Sequence, residues 1–257
     1  MAHGMRSIRD WPVSLVTVAA FGLVMVLGDL LQRVTWRLGM DTYERSIGWI
    51  QKALIATFRI SGVTIDIQDR RLLAARGGYL VVSNHQSMYD IPIFGGVLAD
   101  HNPRYVAKRS LAKGIPTVSL YLKRGGNAMI DRNDRDQALA SIGDMGKLCQ
   151  ARDAAAVIFP EGTRSRDGSL GDYRTTGLEA LMASAPNLPI VPTAIDGSWI
   201  VFRDNMFPIP FGTDVRVRFG EPIARTPDED AEAIAARCRD FTQSTLDEWH
   251  RGSEPSD

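Results

Sequence analysis

The chain has 257 residues, long enough to bury a substantial core, and its 30 basic and 30 acidic side chains cancel. That balance excludes a global field drawing the protein to nucleic acid or to an acidic surface, so any anion site must be local. Two cysteines, Cys149 and Cys238, are too few and too far apart for a thiol metal site or a disulfide framework, and are expected as reduced, buried thiols suited to a cytoplasmic compartment.

The N-terminal region departs from an ordinary soluble composition. Trp11 to Gly28 runs for 18 residues without a charge and holds thirteen apolar side chains, near the lower limit for spanning a bilayer. The run continues into Asp29, Leu30, Leu31, Arg33 and Arg37 rather than into a small-residue cleavage site, so it is expected to stay in the mature chain. Next, Tyr43, Ile47, Ile50, Leu54 and Phe58 recur at steps of three or four with Glu44, Arg45, Gln51, Lys52 and Arg59 on the other side, which predicts an amphipathic helix. Packing on the globular body explains the second segment alone. For the pair, a bilayer-length run followed by an amphipathic helix favours membrane attachment.

After Gly62 the pattern changes to short apolar runs separated by helical stretches. Strands are expected at Val63 to Ile67, Gly78 to Ser83, Arg104 to Ala107, Ala128 to Ile130, Ala155 to Phe159, Ile190 to Ile195 and Val215 to Phe219. Helices are expected at about Met88 to Leu98, Asp134 to Arg152, Gly177 to Ala185 and Asp228 to His250. Continuous β-branched runs imply strands covered on both faces. The fold class is therefore α/β, a central, mostly parallel or mixed sheet flanked by helices, with an N-terminal two-helix membrane-associating motif. Phe202 to Gly212 is apolar but proline-rich, and either caps the core or touches lipid. The tail from Gly252 (GSEPSD) is polar and expected to be disordered.

Chemistry-bearing residues gather where these strands end. Asn84, His85, Gln86, Ser87, Met88, Tyr89 and Asp90 follow an apolar strand directly, and Asp90, five residues beyond His85, can return to one imidazole nitrogen and leave the other to accept a proton. Taken alone, this spacing is better explained by a helix-capping histidine and an aspartate that complements the helix dipole. Phe159 to Ser165 also follows a strand: Gly162 allows close approach to the backbone, Thr163 and Ser165 offer hydroxyls, and Arg164 offers a fork for phosphate. Glu161 can bind a ligand hydroxyl or hold Arg164. Arg132 ends a third apolar run, so a base and two arginines can converge on one edge. No metal-ligand constellation is visible.

In this order the blocks resemble the motif set of the glycerolipid acyltransferase family that contains bacterial 1-acylglycerol-3-phosphate acyltransferase. Asn84, His85 and Asp90 match its NHxxxxD motif; Lys108, Leu111, Pro116, Gly126, Asp131 and Arg132 resemble the second block; Phe159 to Ser165 reads FPEGTRS; and Val191-Pro192 resembles the fourth. The likeness spans about residues 60 to 220. Two places depart from it: Pro116-Thr117-Val118-Ser119 stands where many members have a glycine shortly after the proline, and Tyr173-Arg174 replaces a common Phe-Lys pair.

The resemblance implies a helical membrane-anchoring hairpin over 1–60, an α/β acyltransferase domain over 61–250 and a disordered tail over 251–257. It implies His85 as general base with Asp90 as its partner, and acceptor phosphate and glycerol held by Lys108, Arg132, Glu161, Gly162, Thr163 and Arg164. No metal and no cofactor are implied. The expected reaction moves a fatty acyl group from acyl-carrier protein or coenzyme A to the sn-2 hydroxyl of lysophosphatidic acid, giving phosphatidic acid for phospholipid biosynthesis. It is expected at the cytoplasmic membrane, with the catalytic domain facing the cytoplasm. Three alternatives remain: the same chemistry on glycerol-3-phosphate or a lyso-ornithine lipid, a serine hydrolase using Ser87 without the GxSxG elbow, and a catalytically silent membrane-binding module.

Overall fold

The β-branched runs assemble into one sheet. In the computed structural model, which describes residues 8–204, 207–225 and 229–252, its strands are β1 (Thr64–Gln68), β2 (Leu80–Ser83), β3 (Arg104–Lys108), β4 (Ala128–Ile130), β5 (Ala156–Ile158), β6 (Ile190–Asp196) and β7 (Asp214–Phe219). Their spatial order is β1-β7-β6-β2-β5-β3-β4. Strands β6, β2, β5, β3 and β4 run parallel, β7 pairs antiparallel with β6, and β1 is parallel to β7. The sheet is thus mixed, and its five parallel strands release the chain at one carboxyl edge.

The helices are α1 (Asp10–Thr35), α2 (Met40–Thr57), α3 (Asp90–Val97), α4 (Val118–Arg124), α5 (Arg135–Ala151), α6 (Thr176–Ser184), α7 (Ser198–Phe202) and α8 (Ala231–Arg251). Strand alternation feeds two cores. Val81 packs with Tyr43, Phe58, Tyr89, Ile93 and Phe94 on the side of α2 and α3. Its neighbours Leu80 and Val82 join Ile142, Leu178, Leu181, Ile234 and Cys238 beneath α5, α6 and α8. Both cysteines are free and buried, and burial raises both thiols above their ordinary range.

Several boundaries differ from the sequence expectation. The helix expected from Met88 begins at Asp90, because the preceding backbone N–H groups are spent on the Asp90 carboxylate. Asp134 and Asp230 cap α5 and α8 through their side chains, which starts α8 at Ala231. At its other end α8 continues to Arg251 with Gly252 as its cap. Residues 253–257 of the expected tail, together with Met206 and Asp228, lie outside the described residues.

Helix α1, about 39 Å long at 1.5 Å per residue, is the one helix among the described residues long and apolar enough to cross a membrane. It is arranged polar side inward. Asp10, Ser14, Thr17, Gly28, Gln32 and Thr35 are buried against the body, while Leu15, Val16, Leu23, Val26, Leu27, Leu30 and Val34 are exposed. Polar contacts fasten it along its whole length: Ile209 N–H donates to Ser14 Oγ at 2.8 Å, Thr17 meets Ser61 at 2.7 Å, and Thr35 meets Ser46 at 2.9 Å. The apolar face of α2 turns inward, with Tyr43, Ile47, Ile50, Leu54 and Phe58 buried. In the proline-rich segment Ile209 enters the core, while Phe207 meets Trp11 edge-on and Phe211 lies under the Arg9 guanidinium, both rings part-exposed beside the start of α1. That segment therefore serves the core and clasps the apolar helix.

The departure at Thr117 also resolves here. Val118 N–H donates to Pro116 O at 2.6 Å, closing a three-residue turn with Thr117 at φ 64° and ψ −50°. Threonine in this region costs on the order of 1–3 kcal/mol. The turn is held from α1, where Asp29 Oδ1 accepts the Thr117 N–H at 3.0 Å and Gln32 Nε2 donates to both Thr117 O and Oγ1. Gly28 permits the approach, since a Cβ there would lie 2.6 Å from Thr117 Oγ1.

Candidate active site

At the end of β2 the chain enters the turn that carries His85. Asn84 locks this turn to the neighbouring strand, its Oδ1 accepting the Ile195 N–H and its Nδ2 donating to Ile195 O, both at 2.9 Å. Asp90, fully buried, then receives His85 Nδ1 at 2.7 Å, Gln86 N–H at 2.7 Å and Ser87 N–H at 3.0 Å on a single oxygen, Oδ2. An Nδ1–H donated to a carboxylate leaves the Nε2 lone pair free. Nε2 has no hydrogen bond among the described residues, and the ring is still part-exposed. The Ser87 hydroxyl donates to Asp90 at 3.3 Å and accepts from Tyr89 N–H, so it is directed at the aspartate and not at the imidazole, the wrong arrangement for a serine nucleophile.

The segment Phe159–Ser165 holds His85 from three sides. The imidazole stacks on Phe159 at 4.1 Å between centroids and 17° between planes. Glu161 Oε1 accepts the His85 backbone N–H at 2.8 Å, and Ser165 N–H donates to His85 O at 2.8 Å. Glu161 Oε2 accepts the Gly171 N–H at 3.1 Å. Its carboxylate is therefore buried and engaged on both oxygens, and burial raises its pKa against the opposing pull of the two N–H donors. Glu161, expected to bind a ligand hydroxyl or hold Arg164, makes no hydrogen bond or ion pair with Arg164 among the described residues; its carboxylate fixes the backbone of His85.

The cations are placed otherwise. Lys108 ends β3, Arg132 lies two residues past β4, and Arg164 follows β5, all on the carboxyl edge shared with His85. All three are exposed, and none has an ion pair or hydrogen bond among the described residues. Gly162 and Thr163 sit exposed in the same loop, with Gly162 at φ 67°. One partner was not singled out from sequence: Ser198, at the start of α7, whose hydroxyl lies 2.5 Å from Asp90 Oδ1. Its signal, a Gly-Ser pair leaving a buried strand, follows the same strand-to-helix pattern that marks His85.

A mixed sheet that gathers a histidine–aspartate pair and unpaired cations at the carboxyl ends of its strands defines an α/β enzyme with its chemistry on that edge. A family model described as Acyltransferase matches residues 64–196, which cover four of the five parallel-edge loops described above. The chain belongs to that family and is an acyltransferase. It is 29% identical over 214 residues to a 1-acyl-sn-glycerol-3-phosphate acyltransferase of Limnanthes douglasii, covering 82% of this chain and 70% of that one. Against the Escherichia coli K12 protein of the same name it is 31% identical over 134 residues, covering 52% and 53%. The crystal structure of the 1-acyl-sn-glycerophosphate (LPA) acyltransferase PlsC from Thermotoga maritima shares the fold, with a TM-score of 0.77, 21% identity and coverage of 98% and 100%.

Proposed function

We propose that the enzyme acylates the sn-2 hydroxyl of 1-acylglycerol-3-phosphate, using acyl-carrier protein or coenzyme A thioesters and giving phosphatidic acid. The observation that carries this reading is the Nε2 of His85, oriented through Nδ1 by Asp90, on the same sheet edge as the cations Lys108, Arg132 and Arg164, all without a partner among the described residues. The names of the relatives support the same acceptor.

In this mechanism the acceptor phosphate is held by Arg164 and Arg132 with Lys108 assisting, beside the open Gly162–Thr163 backbone. His85 Nε2 takes the hydroxyl proton as the oxygen attacks the thioester carbonyl carbon. Asp90 stabilises the imidazolium, the carbon–sulfur bond breaks, and the departing thiolate takes the proton, which restores neutral His85. Such proton transfer contributes about 10²–10⁴-fold, and holding the two substrates in line supplies much of the remainder. No cofactor takes part in this scheme.

The exposed apolar face of α1, together with the exposed Leu38, Trp49 and Ile60, supports seating the enzyme on the bilayer that contains the acceptor. The fastening of α1 to the body along its length supports its lying in one leaflet, and the proposed thioester donors, which approach from the cytoplasm, favour the cytoplasmic one.

The test is acyl transfer by the purified enzyme with a panel of lysolipid acceptors and both thioester donors. Lysophosphatidate should be acylated, and His85→Ala should lower turnover by about 10²–10⁴-fold with unfolding temperature unchanged. Inactivity toward every phosphate-bearing acceptor would overturn the assignment.

A further inference from the structure

We propose that Ser198 is a positioning residue for the histidine–aspartate pair, a role that rests on His85 being the base. The donors on Asp90 are unevenly divided. Among the described residues, Oδ2 receives three N–H groups, including that of His85, whereas Oδ1 has two hydroxyls, Ser198 at 2.5 Å and Ser87 at 3.3 Å. Rotation of an aspartate carboxylate about its last torsion is soft. Three bonds converging on one oxygen fix that oxygen in space, but the short contact at the other sets the plane of the group. Ser198 thus aligns the Oδ2 lone pair with Nδ1–H.

The backbone around Ser198 is built for this. Ser198 has no solvent exposure, and its one hydroxyl proton faces two acceptors, Asp90 Oδ1 at 2.5 Å and Gln86 Oε1 at 3.4 Å. The charged, nearer acceptor takes it. The preceding Gly197 has φ 83°, and a Cβ there would lie 2.1 Å from Asp214 O, so only glycine lets the chain turn at this point. Two residues earlier, Ile195 is paired to Asn84 on both its N–H and its C=O. The end of β6 and the His85 turn are thereby joined as one unit, with Ser198 its contact to Asp90.

Removing the Ser198 donor leaves more negative charge on Asp90, which favours the imidazolium and moves the acid limb of the pH–rate profile upward. The other titratable groups facing the pair are Glu161, from the loop after β5, and Asp196 at the end of β6, which accepts from Gln86 Nε2 and is paired with His250 of α8. Ser198→Ala changes neither.

The experiment compares wild type, Ser198→Ala, Ser198→Thr and His85→Ala in acyl transfer across pH, with thermal unfolding measured alongside. Ser198→Ala should lower kcat roughly tenfold, leave the acceptor KM unchanged and shift the acid limb upward, and Ser198→Thr, which keeps the hydroxyl, should restore both. An acid limb that stays in place in Ser198→Ala overturns the proposal, whether kcat holds or falls together with the unfolding temperature. Full turnover in His85→Ala would instead overturn the base assignment, and the role of Ser198 with it.

Discussion

The carboxylate of Glu161 accepts the backbone N–H of His85 at 2.8 Å, a contact between residues 76 positions apart that makes one motif the scaffold of another. Its second oxygen accepts the Gly171 N–H, so each carboxylate oxygen holds one backbone donor. Glutamine in its place would turn an NH₂ toward one of those N–H groups and leave it unpaired in a buried site, at about 1–3 kcal/mol. Glu161→Gln should therefore lower the unfolding temperature and cut kcat about tenfold or more by displacing His85, with the acceptor KM unchanged. A selective rise in KM would return Glu161 to the ligand.

Strand order ranks the cations. β5 neighbours β2, whereas β4 lies three strands from it. At about 4.8 Å per strand that puts Arg164 roughly 5 Å sideways from the strand of His85 and Arg132 roughly 14 Å. A charge-assisted hydrogen bond is worth about 1.5–3 kcal/mol. Arg164→Ala should raise the KM for a phosphate-bearing acceptor by about 10–100-fold, Arg132→Ala by less, and neither should change the KM for the thioester. Arg164→Lys should recover only part of the loss, because it keeps the charge and loses the fork. Steady-state kinetics with each substrate varied in turn decides the ranking.

The sheet was legible because its buried strands are continuous apolar runs: all seven expected strands form, within two residues at their ends. The His85–Asp90 pair was legible only in company: its spacing alone suits a capping histidine, and the arginines at neighbouring strand ends together with the order of the other blocks singled it out. Other features leave no pattern in a sequence. Helix α1 outruns its charge-free stretch because Asp29 and Arg33 pair at 2.7 Å on one flank while Gln32 and Thr35 turn inward. Helix α4 has seven residues, too few for a period to show. Glu161 and Ser198 act on a backbone N–H and on a carboxylate that only the folded chain brings near, so their residue types alone suggested ligand contact in one case and nothing in the other.

His101 gives the fold a pH dependence of its own. It is buried, donates from Nδ1 to Gly77 O at 2.7 Å, and lies at Nε2 against Arg70 at 2.9 Å. Since a carbonyl can only accept, Nδ1 carries the proton and neutral Nε2 accepts from the guanidinium. Burial lowers its pKa below the ordinary 6.5, with the Gly77 bond opposing and Arg70 adding to the shift. The unfolded chain then takes up the proton first as pH falls. This part of the stability is complete above about pH 6.5 and is lost below it, at no more than about 1.4 kcal/mol per pH unit. Urea midpoints at pH 7.5 and 5.5 should fall less in His101→Gln than in wild type; an equal fall would exclude His101 as the source.

The two faces of α1 should separate stability from membrane affinity. Leu15, Leu23 and Leu30 point outward and are 63%, 59% and 56% exposed, so they contribute little to the folded domain. Burying a leucine side chain in an apolar phase yields about 1.5–3 kcal/mol when complete. Replacing all three with serine should weaken partitioning into phospholipid vesicles by at least about 100-fold, with the unfolding temperature nearly unchanged. On the inward face, Gln32→Ala removes two of the three bonds by which α1 holds the strained Thr117 turn. It should lower the unfolding temperature and leave vesicle affinity as it was. Trp11 and Trp49, 47% and 64% exposed, report the outcome directly: their fluorescence should shift to the blue on vesicles in wild type and in Gln32→Ala, and not in the triple serine variant. Wild-type partitioning in that triple variant would mean that α1 does not enter the bilayer.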